Sequence, residues 1–123
     1  RLKELNSGIT NLLQDLEERD MLDDVTVIAW GEFGRTPKIN TRAGRDHWPR
    51  VMSVLMAGGG IQGGQAYGTS DRHAAYPADL PVAPEDIAKT VYHAMGIDDL
   101  SAIDKGGRPY NLMEEGRPLT ELF

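Results

Sequence analysis

An α/β fold is predicted for this chain of 123 residues, and three observations predict it. Two amphipathic patterns have helical spacing, two short apolar runs are rich in β-branched residues, and the elements alternate helix, strand, strand, helix. The first pattern is Leu2, Leu5, Ile9, Leu12, Leu13 and Leu16, which predicts a helix over 2–19 covering one face of a sheet. Asp20 to Asp24 turn the chain. Val25 to Trp30 then reads as a buried, parallel strand, because its apolar residues are almost uninterrupted. Val51 to Ala57 is a second run of the same kind and is expected beside the first. Gly58, Gly59, Gly60, Gly63 and Gly64 close it in a turn, and an irregular segment with Pro77 and Pro81 follows. Pro84 suits a first helical position, and Ile87, Ala88, Val91, Ala94 and Met95 make the second stripe, capped by Gly96. This predicts a helix over 84–95, packed like the first on the sheet. The tail from Asp98 to Phe123 reads as loop with short strands around "RPYNLM" and "RPLTELF".

Composition narrows the function classes. The chain opens on Arg1 within a helical pattern, so residues 1–123 read as a single partial domain, a piece of something longer. No run of 18 apolar residues exists to span a membrane, and there are no cysteines for disulfides or thiolate metal sites. A net charge of −6 argues against nucleic acid as a partner. The charge is uneven, however. Residues 1–30 hold 3 basic and 7 acidic groups and residues 51–123 hold 5 and 10, whereas residues 31–50 hold 5 basic and 2 acidic groups.

That basic segment lies between the two predicted strands, at the carboxyl end of the first, where open α/β sheets bind ligands. It carries Glu32, Arg35, Thr36, Lys38, Arg42, Arg45, Asp46, His47 and Arg50. Carboxylate and imidazole can hold a divalent cation, and guanidinium forks fit an oxyanion. Together they point to a phosphate or sulfate ester. The same composition also describes a solvated loop, in which Glu32 and Arg35 could pair with each other. "GGGIQGG" lacks the Gly-Lys-Ser/Thr of a phosphate loop and reads as a turn. His73, His93, Trp30 and Trp48 read as surface or packing residues.

The segments "GEFGRTPKIN", "GRDHWP", "LMAGGGIQGGQAYGTSD", "PVAPEDIAKTVYHAMGID" and "GRPLTELF" resemble, in order, the C-terminal region of the bacterial domain of unknown function 1501 family. That family is often labelled sulfatase-like and resembles the alkaline phosphatase and sulfatase superfamily. The resemblance implies the C-terminal portion of an alkaline-phosphatase-like sheet flanked by helices, completed by an N-terminal remainder of the same domain that carries the nucleophile. It implies a metal-dependent hydrolase of phosphate or sulfate esters, using a divalent metal of the zinc, calcium or magnesium class and a small anionic ester substrate. An exported or periplasmic location is implied for many relatives. His47 stands where the superfamily has its last ligand histidine, with Glu32 and Asp46 as further metal ligands and Arg35 and Arg45 as substrate clamps. One departure is plain: the superfamily has Asp-His after the preceding strand, and this chain has Glu32-Phe33. Phe33 cannot coordinate a metal. The alternative is therefore a non-catalytic anion-binding or scaffold protein that retains the fold.

Overall fold

The computed structural model describes residues 2–123. Helix α1 spans Leu2–Glu18 and helix α2 spans Pro84–Ala94. Between and after them the described residues form four two-stranded antiparallel ribbons. Strand β1 (Val27–Trp30) pairs with β4 (Val54–Ala57), and β2 (Gly34–Arg35) pairs with β3 (His47–Trp48) in the segment that joins them. Strand β5 (Thr69–Ser70) pairs with β6 (Pro77–Asp79), and β7 (Ser101–Ile103) pairs with β8 (Pro109–Asn111). A 3-10 turn, Thr120–Leu122, follows where a short strand was expected.

Helices and strands are thus mixed as predicted, and β1 and β4 are neighbours. Their orientation differs from expectation. The partners run Val27 to Ala57 through Trp30 to Val54, so the pair is antiparallel. A parallel pair needs a crossover connection, usually a helix. Here the connection folds back on itself as the β2–β3 ribbon and returns the chain head to tail. Both strands are half-buried, with Trp30 and Leu55 exposed, rather than enclosed on two faces. The helix over residues 2–18 also departs from expectation: Leu2, Leu5 and Leu12 face solvent, and Leu16 is its buried residue.

The core lies under α2. Ile87, Leu119 and Leu122 form it, with Met56, Ile61, Tyr67, Val82 and Phe123 packed around them. Helix α2 begins and ends as its sequence dictates. Pro84 opens it, and Asp86 Oδ2 accepts the Ala83 N–H at 2.8 Å. At the other end Gly96 takes φ +74°, its N–H donating to His93 O at 2.8 Å and that of Ile97 to Tyr92 O at 2.9 Å. This pair of bonds satisfies carbonyls that a helix end would leave open.

The tail is locked to the same helix. Asp86 Oδ1 accepts the Arg117 N–H at 2.8 Å. The Thr90 hydroxyl donates to Asp86 O at 2.6 Å and accepts the Leu119 N–H at 2.9 Å. Lys89 Nζ donates to Gly116 O at 3.0 Å, and Arg117 reaches both Glu121 and the Tyr67 hydroxyl. "GRPLTELF" is therefore the strap that closes the core. No helix among the described residues is long and apolar enough to cross a membrane.

Candidate functional site

The basic segment is an ordered ribbon, because its polar side chains bond to its own backbone. The Thr36 N–H donates to Asp46 O at 3.1 Å, and the Asp46 N–H donates to Thr36 Oγ1 at 3.1 Å, extending the β2–β3 ladder by one pair. Beyond it, Asn40 Oδ1 accepts the N–H groups of Arg42 and Gly44, each at 3.0 Å. Such Asx bonding tightens a turn without help from regular structure. Asn40 Nδ2 also donates to Asp46 Oδ1 at 2.8 Å. This organising role of Asn40 was not anticipated, although an Asn four residues before Gly44 is the pattern that signals it.

At the base of the ribbon the backbones approach closely. A Cβ on Gly34 would collide with Val51 O, so only glycine lets β2 lie against the start of the returning chain. Trp48 fixes the other side: its indole N–H donates to Ala75 O at 2.6 Å, and its ring meets the Tyr76 ring edge-on at 5.9 Å. Both contacts anchor the ribbon to the loop between β5 and β6.

The site residues proposed from sequence divide into groups. Arg35 and His47 are directly opposite one another across the ribbon. The Phe33 ring lies on the His47 ring with centroids 3.7 Å apart and planes 20° from parallel, and the Arg35 guanidinium carbon stands 5.7 Å from the Phe33 centroid. Phe33, the residue that cannot be a ligand, is thus the platform on which the imidazole rests. Arg45 points elsewhere. Its Nη1 donates to Thr36 O at 2.6 Å and Pro37 O at 2.7 Å, which occupies the guanidinium with the loop's own carbonyls. Asp46 is turned to Asn40, while Glu32 is exposed. Among the described residues no three His, Cys, Asp or Glu side chains gather as a metal cluster.

Beside the ribbon opens a cleft of about 900 Å³. Arg35 and Arg50 line it together, and Asp79 is its one acidic wall residue. Its floor includes Ile87, Leu119 and Leu122, the core residues themselves. His47, Glu32, Asp46 and Arg45 lie outside it. Two arginines against one aspartate in the lining favour an anion, and apolar walls lower the local dielectric and strengthen that attraction, while Arg35 Nη1 also donates to Arg45 O at 3.4 Å. Arg50, one of several loop arginines by sequence, is the one that shares Arg35's cleft.

Neither curated proteins nor solved structures provide a match to this chain. A family model does match, over residues 1–123, with the description "Protein of unknown function (DUF1501)". The segments that shape the ribbon, the glycine turn, α2 and the closing strap all fall within that match, so the chain belongs to the DUF1501 family.

Proposed function

We propose that the cleft beside the β2–β3 ribbon binds a phosphate or sulfate ester, with Arg35 and Arg50 on the anionic group and the apolar floor against its organic part. One observation carries the reading: Arg35 and Arg50 line one cleft whose floor is the hydrophobic core. A guanidinium offers two parallel N–H donors to a tetrahedral oxyanion, and a pair of them can neutralise the two charges of a phosphate monoester. In this reading the chain supplies the C-terminal portion of a sulfatase-like, alkaline-phosphatase-like sheet, and ester hydrolysis is the reaction class. What supports that placement is the order of the motifs from "GEFGRTPKIN" to "GRPLTELF".

Metal ligation has weaker support within this chain. Imidazole and carboxylate are suitable donors for a zinc-class ion, and His47 is exposed. Yet Asp46 Oδ1 is engaged by Asn40 and the His47 ring rests on Phe33, so His47, Glu32 and Asp46 do not fit a common ion as they stand. The Phe33–His47 stack favours a second reading, a non-catalytic anion-binding or scaffold protein, in which the ring pair stiffens the ribbon beside the cleft.

Calorimetric titration with inorganic phosphate and sulfate tests the first reading. Arg35→Lys should weaken phosphate binding roughly tenfold, since an ammonium cannot reproduce the two-pronged contact. Equal affinity of the two proteins would remove Arg35 from the site. Hydrolysis of an aryl phosphate or aryl sulfate by the wild type separates the enzyme from the binder.

A further inference from the structure

We propose that the backbone N–H groups of residues 63–66 hold the same oxyanion as Arg35 and Arg50, an assignment that rests on reading the cleft as the site of an anionic ester. Gly63, Gly64, Gln65 and Ala66 line that cleft together with the two arginines.

The glycines of "GGGIQGG" divide by what the fold asks of them. A Cβ on Gly58 would collide with Val25 O and one on Gly59 with Thr26 Oγ1, so the first part of the motif serves close packing. The second part does not. A Cβ on Gly63 or Gly64 would meet nothing within 4 Å, and Gly63 takes no positive φ. The chain's own packing therefore has no use for glycine at 63. A bare backbone at that position leaves its N–H open to a ligand, which is the other reason for glycine in a cleft wall.

The other turns of the chain show what this loop lacks. Asn40 Oδ1 accepts the N–H groups of Arg42 and Gly44, Asp71 Oδ1 those of His73 and Ala75, and Asp104 Oδ1 those of Gly106 and Arg108. Each turn thus carries an oxygen for its own amides. Residues 61–68, "IQGGQAYG", contain no Asp, Asn, Ser or Thr. None of the N–H groups of Gly63, Gly64, Gln65 and Ala66 finds an acceptor among the described residues. An oxyanion in the cleft would fill the place that an Asx oxygen fills elsewhere.

The loop is nevertheless held. The Gln62 N–H donates to Leu122 O at 2.7 Å and Gln62 Nε2 to Phe123 O at 2.9 Å, which ties its start to the closing strap. Gln65 Nε2 donates back to Gln62 O at 3.0 Å. Gly64 takes φ +77° directly after Gly63, which does not, the change of hand by which successive N–H groups form anion-binding concavities. Donors fixed in advance cost no reorganisation when an oxyanion arrives.

Amide NMR with inorganic phosphate as the probe, run beside calorimetry on the same chain, is the test. The amide protons of residues 63–66 should move downfield and saturate with the calorimetric dissociation constant. In Arg35→Lys the same amides should saturate at roughly tenfold higher phosphate. Chloride at equal ionic strength should leave them in place. If phosphate binds by calorimetry while these amides stay still, the loop is no part of the site and the arginine cleft stands without it. Amides that move equally with chloride, or that saturate in Arg35→Lys as in the wild type, would mark an adventitious ion only and overturn the shared site. If the wild type binds no phosphate by either measurement, the reading of the cleft itself fails and the role of the loop fails with it.

Discussion

Thr90 is fully buried, and its hydroxyl both donates to Asp86 O and accepts from the Leu119 N–H. Removing the oxygen would strand a buried N–H beside the best-buried leucine, which is 2% exposed. Thr90→Val, nearly the same shape, should therefore destabilise the fold by about 1–3 kcal/mol, and Thr90→Ser by much less, in urea unfolding monitored by circular dichroism. Equal stability of Thr90→Val and wild type would mean that the hydroxyl is dispensable. Nothing in the sequence singles out Thr90, which sits on a helix among Lys89, Val91 and Tyr92 as any half-polar residue would. Pro84 and Gly96 were legible because their backbones constrain structure locally. Thr90 was not, because its partner lies 29 residues away.

At the scale of elements, the turn between β5 and β6 shows how a carboxylate can hold a loop. Asp71 Oδ1 accepts the N–H groups of Ala75 and His73, each at 2.9 Å, and the bond from Ala75 is the main reason its carboxyl titrates below the ordinary value of 3.8. A lowered carboxylate contributes order that is complete above its ordinary value and is lost as the pH falls through the lowered one. The amide proton shifts of Ala75 and His73 should therefore be flat from neutral pH to about 4 and move together below it. In Asp71→Asn that titration should vanish; its persistence would assign it to another group. The same turn receives the Trp48 indole, so the state of Asp71 bears on the wall of the candidate site. Both helices and strands β1 and β4 were legible from periodicity, whereas the two- and three-residue strands β2, β3, β5, β6 and β7 are too short to show a period, and the sense of β1 against β4 was not legible either. Continuous apolar runs describe parallel strands and short half-buried ribbons alike, and only the path of the intervening chain separates them. Charge marked the ribbon as a candidate, but could not tell Arg50, which lines the cleft, from Arg45, which bonds to loop carbonyls.

For the molecule as a whole, accessible area is the informative quantity. Unfolding from 9457 Å² uncovers about three quarters of the surface that a compact domain of this mass would uncover. The dependence of unfolding free energy on urea scales with that area, so its slope at low protein concentration should be about three quarters of the usual value for this length. A slope equal to that of a compact domain would show that the chain exposes no such excess of surface.

The strap from Gly116 to Leu122 has a kinetic consequence. Its bonds to Asp86, Thr90 and Tyr67 span 31, 29 and 50 residues, and Gln62 Nε2 reaches Phe123 O across 61. Closing loops of that length costs chain entropy before any contact rewards it, whereas α2 needs only its neighbours. The receiving groups, Asp86 and Thr90, acquire their geometry only when the helix that carries them has formed. Closure of the core is thus ordered in time: helix first, strap last. Most of the cost of Thr90→Val should accordingly appear as faster unfolding, with the folding rate almost unchanged.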